Sequence, residues 1–256
     1  MRCAVVSIVV SAVLATGAGN HGQADETLRV LSYNIHHGRG TDGVVDLQRI
    51  ADVIRGCEAD VVLLQEVDDR TARTGGVDQT AELARLTGLH AAFGRQIDYQ
   101  GGRYGQAILC RAVLEDPTVH VLPGDPGRET RIAFAARTTL GGRTFTVIGT
   151  HLHHLDEPTR LGQARAVGRL DVAPGPAILG GDFNAVPGSE PITAVLETWR
   201  SASAVPQATY PAGDPVRQID YVFSRPADAI EVVACRVLDE GIASDHRPIL
   251  AVFRIR

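Results

Sequence analysis

The chain has 256 residues and a formal net charge of −5, with 44% hydrophobic residues, 21% charged residues and four cysteines. This composition is typical of a globular protein with a large core and argues against a disordered chain or a disulfide-dense scaffold. The acidic balance does not favour nucleic acid as a partner, because non-specific binding to phosphate backbones needs a basic face.

The first 24 residues are typical of an export signal. Arg2 precedes an apolar run over residues 3–15, and small and polar residues follow. The run is shorter than the about 20 apolar residues that cross a bilayer. We predict a signal peptide and short disordered lead over residues 1–24, cleaved after Ala15 or Ala18, and one secreted, extracellular domain over residues 25–256 with no stable membrane span after cleavage. An uncleaved anchor and a misplaced start are the alternatives.

Short runs of β-branched and apolar residues recur along the remaining chain and predict eight strands. These strands cover residues 28–33, 61–65, 107–110, 132–138, 144–150, 177–180, 221–224 and 248–255. Helical periodicity lies between some of them, at residues 46–55, 80–87, 159–170 and 192–198. Residues 140–143 contain two glycines and predict a hairpin turn, so the sheet is not purely parallel. The chain has no repeat of 20 to 50 residues, which excludes a solenoid.

Polar side chains recur where these strands end, which is where sheet proteins assemble their sites. The first strand leads to Asn34, His36 and His37, and the second leads to Glu66. A carboxylate that continues a buried apolar run is costly to bury unless it is paired or binds a cation. Glu66 is therefore a candidate metal ligand, whereas Asn34 taken alone fits a turn equally well.

The middle strands repeat this pattern. Residues 144–150 lead to His151 and two further histidines, and residues 177–180 lead to Asp182 and Asn184. A zinc site would require about three nitrogen or sulfur ligands. Because the other clusters offer mainly oxygen, the expected cation is Mg²⁺, Mn²⁺ or Ca²⁺. Asp182 and Asn184 face the same way in extended backbone, although an Asx-rich turn is the alternative.

Acids also precede the last two predicted strands. Asp220 stands directly before residues 221–224, and the pair Asp245 and His246 stands before residues 248–255. Adjacent Asp and His suit metal binding by one side chain and proton transfer by the other. Six such clusters in one chain predict a catalytic site.

The six clusters resemble, in order, the signatures of the endonuclease/exonuclease/phosphatase superfamily, which has the deoxyribonuclease-I-like fold. The matching segments are residues 32–34, 64–66, 150–152, 181–184, 219–221 and 244–246. The resemblance extends from about residue 28 to the C-terminus. It implies an α/β (α+β) fold in which two mainly antiparallel β-sheets, flanked by helices, form a four-layered sandwich with the site at one edge.

The resemblance also implies a role for each matched residue that binds the cation or the water. Glu66 is expected to be the principal metal ligand, with Asn34 and Asp245 near the same ion. Asp182 is expected to orient or deprotonate the attacking water. The implied cofactor is Mg²⁺, with Mn²⁺ or Ca²⁺ as alternatives.

The other matched residues are expected to act on the phosphate. Asn184 would hold a phosphoryl oxygen, and His151 would donate a hydrogen bond to the phosphate. His246 would contact the phosphate or shuttle a proton, and Asp220 would fix the ring of His246. A cation and several donors would together neutralise the charge that grows on phosphorus during in-line attack by water.

Five further residues are candidates for substrate binding. His36 and His37 are typical of some bacterial relatives, and Gln106 stands where the family often has Asn. Arg103 and Arg131 carry guanidinium groups that fit a phosphate. For the histidines the alternative is a structural role in the loop, and for the arginines it is a surface salt bridge.

We therefore predict a metal-dependent phosphoesterase that acts as a monomer on a lipid head group or a small phosphoester. An extracellular nuclease is an alternative, although short loops and few aromatic residues do not favour binding along a nucleic-acid strand. A catalytically inactive phosphate- or lipid-binding protein of the same fold is another. A surface-acting phospholipase would need an exposed apolar hairpin, whereas Trp199 is expected in the core. Fold-level likeness does not choose among these substrates.

Overall fold

The computed structural model describes residues 27–256, and the predicted signal peptide lies outside this range. Twelve strands occur within the described range. In chain order they are β1 (Thr27–Asn34), β2 (Val61–Asp69), β3 (His90–Tyr99), β4 (Gly102–Cys110), β5 (Glu115–Val121), β6 (Ile132–Leu140), β7 (Arg143–His151), β8 (Ala177–Asp182), β9 (Arg200–Ser201), β10 (Asp220–Arg225), β11 (Ile230–Val237) and β12 (Ile249–Ile255). The helices are α1 (Leu47–Gly56), α2 (Gln79–Thr87), α3 (Glu157–Gly168) and α4 (Glu190–Leu196).

The strands form two six-stranded sheets with the same internal pattern. The first has the order β11-β12-β1-β2-β4-β3, and the second has the order β5-β6-β7-β8-β10-β9. In each sheet one central pair is parallel, β1 with β2 and β7 with β8, while the other pairs are antiparallel. A parallel pair needs a crossover connection, which α1 and α3 supply. The prediction of two mainly antiparallel sheets is confirmed.

Alternating side chains divide the apolar residues among three layers of core. Along β2, Val61 and Leu63 point to the other sheet, whereas Val62 and Leu64 pack with residues of α1 and α2. In the second sheet, Ile178 joins the core between the sheets and its neighbour Leu179 packs against α3 and α4. The arrangement of helices, sheet, sheet and helices confirms the four-layered sandwich.

Side-chain caps explain where three of the helices begin. Asp46, Asp78 and Asp156 each accept a hydrogen bond from the backbone N–H three residues ahead. The predicted helix over residues 46–55 therefore starts one residue later, because Asp46 is its cap. The other predicted helices agree with α2, α3 and α4 to within two residues.

The four strands that the sequence did not predict, β3, β5, β9 and β11, are the edges of the two sheets. An edge strand is paired on one side only and exposes much of its surface, so it lacks the apolar run that marks a central strand. β5 is almost fully exposed, and β9 has only two residues. The sequence-based prediction was therefore wrong in omitting these four strands. The central strands that position the site were predicted.

Two smaller predictions, the hairpin turn and the buried tryptophan, are also confirmed. The predicted hairpin joins β6 to β7, with Gly141 and Gly142 in left-handed backbone at φ 56° and 73°. Trp199 is buried and donates from its indole nitrogen to the Gly168 oxygen over 3.1 Å. The three cysteines of the described range are free. In that range, each helix is too short or too polar to cross a membrane.

Candidate active site

The chemically active side chains meet at one edge of the sandwich. The carboxyl ends of both parallel pairs lie there, together with the start of β10 and the loop before β12. Asp182 pairs in register with His151 on β7 and with Asp220 on β10. The topology therefore collects the predicted residues from six separate segments: Asn34, Glu66, His151, Asp182, Asp220 and His246.

Small residues let the two sheets approach closely beneath this edge. A Cβ at Gly180 would lie 2.8 Å from Cδ1 of Leu63 and 3.3 Å from Cβ of Ser32. The close approach brings Asn34 of the first sheet within hydrogen-bonding distance of Asp182 of the second, with 3.2 Å between amide nitrogen and Oδ2. The site is thus shared between the sheets.

A separate steric constraint requires glycine at position 181. Its φ is +156°, and a Cβ there would lie 2.0 Å from the backbone oxygen of Thr150. Any side chain would push β8 away from β7. Glycine at this position therefore keeps Asp182 aligned with His151.

A β-bulge directs Glu66 toward the site. In the pairing of β2 with β4, Leu64 is opposite Ala107 and Val67 is opposite Gly105, so Gln65 and Glu66 share one partner residue. Glu66 adopts left-handed backbone at φ 60°. Bulges of this kind re-aim a side chain and recur beside active sites.

Asn34 joins the carboxylates of the two sheets. Its amide nitrogen donates to Oε1 of Glu66 and to Oδ2 of Asp182, both over 3.2 Å. Its side-chain oxygen accepts from the backbone N–H of His36 over 3.1 Å. One buried amide therefore sets the relative position of two acids that would otherwise repel each other.

His246 lies between two buried carboxylates. Its Nδ1 is 2.9 Å from Oδ2 of Asp220, and its Nε2 is 3.7 Å from Oδ2 of Asp182. Burial raises the pKa of Asp182, and the charge of Asp220 raises it further. Burial lowers the pKa of His246, but the charges of Asp220 and Asp182 outweigh this effect, so that pKa is raised overall. Both carboxylates therefore favour the protonated form of the imidazole.

His151 and Asn184 complete the surroundings of Asp182. His151 places Nε2 3.4 Å from Oδ2 of Asp182, and the Asn184 backbone N–H donates to Oδ1 over 2.8 Å. The Asn184 amide nitrogen donates to the oxygen of Leu152 over 3.0 Å, which fixes its orientation. Burial, followed by the nearby charge of Arg131, lowers the pKa of His151 well below its ordinary value.

An open cleft of about 410 Å³ lies over these groups. The predicted residues that line it are Glu66, Arg131, His151, Asp182, Asn184, Asp245 and His246. Residues that the sequence reading did not single out as site residues also line it: Tyr104, Glu129, His154, Tyr210, Arg217 and Ile219.

Some of these residues could have been identified from the sequence. His154 belongs to the histidine-rich turn after β7, and Tyr104 lies beside Arg103 on β4. Tyr210 and Arg217 come from the long loop between β9 and β10, which has no motif. Arg217 stacks over the Tyr210 ring at 5.1 Å, and that ring lies 4.9 Å from the His246 ring.

Arg131 is only 3% exposed, yet most of its donors are unused. Its Nη2 lies 3.6 Å from Oε1 of Glu129 and 3.5 Å from Nδ1 of His154. Nε and Nη1 are buried and have no hydrogen-bond partner among residues 27–256. A buried guanidinium with spare donors at a cleft is suited to binding an anion.

Of the five predicted substrate residues only Arg131 lines the cleft, and His36, His37, Arg103 and Gln106 lie outside its lining. Arg103 pairs with the buried Asp69 and stacks over the ring of Phe93 at 5.7 Å. Gln106 is buried between the sheets, where its amide nitrogen donates to the oxygen of Ile132 over 3.1 Å. Both side chains are engaged in holding the fold.

His36 and His37 lie in a short turn directly after β1. Nδ1 of His36 is 3.7 Å from Oδ1 of Asp245. A donor atom of each imidazole and a carboxylate oxygen of Glu66 lie within 4.8 Å of one another. The structure thus brings both histidines to the predicted metal ligands.

The residues fit a divalent cation. Two groups with donor atoms within 4.8 Å of one another occur in the described range, His36 with His37 and Glu66, and Asp182 with Asp220 and His246. Oδ1 of Asp220 is buried and accepts no hydrogen bond from residues 27–256. Carboxylates gathered at a partly buried edge favour a cation, because their mutual repulsion needs compensation.

Comparisons with known proteins agree with this geometry. The model of the Endonuclease/Exonuclease/phosphatase family matches residues 31–246. The uncharacterized protein YbhP of Escherichia coli K12 is 27% identical over 244 residues, which cover 88% of this chain and 95% of YbhP.

Solved structures are also similar. An endonuclease/exonuclease/phosphatase from Beutenbergia cavernae has 29% identity and a TM-score of 0.74, covering 90% of this chain and 72% of that one. A mannosyl-6-phosphatase from Bacteroides thetaiotaomicron has 19% identity and a TM-score of 0.71, covering 88% and 99%. The second likeness shows the fold alone.

Proposed function

This chain belongs to the endonuclease/exonuclease/phosphatase family, and from that premise we propose that it is a secreted, divalent-metal-dependent hydrolase of small phosphoesters that acts as a monomer. Members of the family are hydrolases of phosphoester bonds. One observation carries the proposal: the buried amide of Asn34 is hydrogen-bonded to both the half-buried Glu66 and the buried Asp182, and these two carboxylates line an open cleft.

Asp182 is the residue that orients and deprotonates the attacking water. Burial raises the pKa of its carboxyl, which moves that group toward the range in which a general base works near neutral pH. Its Oδ1 accepts from the backbone N–H of Asn184, and its Oδ2 accepts from the amide nitrogen of Asn34. Asn34 and Asn184 hold the carboxylate in place.

His246 and Arg131 stabilise the negative charge that develops on the phosphoryl oxygens. His246 is held protonated by Asp220 and Asp182, and it donates from Nε2, because Nδ1 is taken by Asp220. Arg131 offers unpartnered donors from the side of the cleft. Fixed donors aimed at developing charge are worth about 10²-fold or more in rate.

A divalent cation bound by Glu66, with Asp245 and Asn34 beside it, would supply Lewis-acid polarisation of a phosphoryl oxygen and neutralise charge. Glu66 is directed there by the bulge in β2. Asp245 reaches the same place from the loop before β12 and lies 3.7 Å from His36.

The cleft favours a small substrate. Its volume of about 410 Å³ is that of a small-molecule site. The formal charge of −5 does not favour a nucleic-acid strand. A lipid head group or a soluble sugar phosphate fits both observations.

The test is hydrolysis by the purified protein of bis-p-nitrophenyl phosphate, sugar phosphates including mannose 6-phosphate, inositol phosphates, phospholipids and plasmid DNA. Each assay contains Mg²⁺, Mn²⁺, Ca²⁺ or EDTA. We expect turnover of one small phosphoester that EDTA abolishes. Glu66→Gln and His246→Gln should abolish it, whereas Glu82→Gln at a partly exposed position of α2 should not.

Other outcomes would replace the proposal. Turnover of DNA alone would identify a nuclease. Phosphate binding without turnover of any class would identify a binding protein. Activity that survives both EDTA and Glu66→Gln would exclude the metal-dependent mechanism.

Secretion has its own test, expression of the full chain with N-terminal sequencing of the exported product. We expect a chain that begins shortly after Ala15 or Ala18. An intact Met1 in a cytoplasmic product would contradict export.

A further inference from the structure

Two successive imidazoles are held next to Glu66 by an unusual turn. His36 and His37 both have left-handed backbone, at φ 45° and 46°, which few residues other than glycine adopt. The turn is fixed by the amide of Gln79, which donates to the oxygen of His37 over 2.8 Å. The two rings lie edge to face with centroids 4.5 Å apart.

Nδ1 of each imidazole in this turn lacks a hydrogen-bond partner in the described part of the chain. His37 is 8% exposed, and its Nδ1 is buried without a hydrogen bond in the described part of the chain. Nδ1 of His36 is also buried and unbonded in that part. Burying an imidazole nitrogen without a partner is costly, so these atoms indicate a ligand.

Negative charge converges on the same place. A carboxylate oxygen of Glu66 lies within 4.8 Å of a nitrogen of each imidazole. Oδ1 of Asp245 lies 3.7 Å from Nδ1 of His36. Two imidazoles therefore converge with one carboxylate, and a second carboxylate adjoins the His36 ring.

We propose that His36, His37, Glu66 and Asp245 form a mixed nitrogen and oxygen site for a first-row transition-metal dication of the Mn²⁺ and Zn²⁺ class. Mg²⁺ and Ca²⁺ take oxygen ligands almost exclusively, whereas imidazole nitrogen suits the transition metals. The metal preference of the cleft is thus set by the histidine turn after β1. This inference rests on the proposed metal dependence of the cleft, but its test does not require turnover.

The experiment is calorimetric titration of the EDTA-stripped, dialysed protein with Zn²⁺, Mn²⁺ and Mg²⁺. The variants are His36→Asn and His37→Asn, because Asn tolerates left-handed backbone. Each should weaken binding of Zn²⁺ and Mn²⁺ by about tenfold or more and change binding of Mg²⁺ less than about twofold. His120→Asn on the edge strand β5 is the matched control and should change none of the three.

A second measurement uses the unaltered protein and so does not depend on whether the variants fold. Histidine ring nitrogens are followed by ¹⁵N NMR during Zn²⁺ titration, with resonances assigned through the backbone. The ring signals of His36 and His37 should shift with the first equivalent.

The proposal is overturned if the first equivalent shifts only His151 or His246, or if Zn²⁺ and Mn²⁺ affinities are unchanged in both histidine variants. An equal loss of Mg²⁺ affinity would also overturn the proposal, since it would show that the substitutions disturb Glu66 in general. If EDTA-sensitive turnover persists while these results fail, the histidine site is wrong and the proposed function stands.

Discussion

Nδ1 of His246 lies 2.9 Å from Oδ2 of Asp220, and both side chains are buried. This contact fixes which ring nitrogen faces the cleft and keeps the imidazole charged. Asp220 does not line the cleft, so it acts through His246.

Replacing Asp220 by Asn should lower kcat by about 10²-fold, because the imidazole loses the partner that orients and charges it. Asp220 raises the pKa of His246, so its removal lowers that pKa. Activity needs the protonated ring and should therefore be lost at a lower pH in the variant. The measurement is kcat against pH, and an unshifted alkaline limb would show that Asp220 is merely structural.

Replacing Asn34 by Asp should destabilise the metal-free protein by about 1–3 kcal/mol, since a third carboxylate would replace the amide between Glu66 and Asp182. Divalent cation should restore part of this loss, because the added charge favours a bound metal. Denaturant unfolding with EDTA and with metal measures both effects. Gln48→Glu, the same chemical change on the exposed face of α1, should shift the free energy of unfolding by less than about 0.5 kcal/mol.

Replacing Gly181 by Ala should reduce the free energy of unfolding by about 2 kcal/mol or more and also reduce activity. The new Cβ would meet the Thr150 oxygen at 2.0 Å and separate β8 from β7. Gly162, within α3, has open space around it, so Gly162→Ala should instead stabilise by about 0.5–1 kcal/mol. Equal effects of the two variants in thermal unfolding would contradict the steric role of Gly181.

Replacing Arg131 by Gln should raise KM by about tenfold and lower kcat by about 10²-fold, because its unpartnered donors would bind neither the anionic substrate nor the charge that develops on it. Arg103→Gln is the matched control, since Arg103 is paired with Asp69 outside the cleft lining. Its KM should stay within about twofold of the original. Steady-state kinetics on both variants checks this, and the reverse ranking would return Arg103 to the substrate site.

Much of the fold could be predicted because the central strands are buried on both faces. Residues 61–65 form a continuous apolar run for this reason, and β2 is where it was expected. The edge strands β3 and β11 face solvent along much of their length, so their sequences resemble those of loops. Their pairing depends on the neighbouring strand.

Some residues of the site could be predicted from the sequence, and others could not. Glu66 was visible as an acid continuing an apolar run, but the bulge that turns it toward Asn34 was not, since it depends on the pairing with β4. Tyr210 and Arg217 could not be found at all. They reach the cleft through a long loop whose path depends on packing against His246.

The sequence by itself determined the residue types of the site and their order along the chain, because residue type fixes which atoms a carboxylate, an amide or an imidazole can offer to a cation or a phosphate. Only the tertiary structure decided which of them meet. That Asn34 bridges Glu66 and Asp182, that His36 and His37 face the same carboxylate, and that Arg103 and Gln106 are engaged elsewhere all depend on distances across two sheets. Such distances are set by register, by the bulge in β2 and by the close approach at Gly180 and Gly181, which are properties of strand pairs and not of single segments.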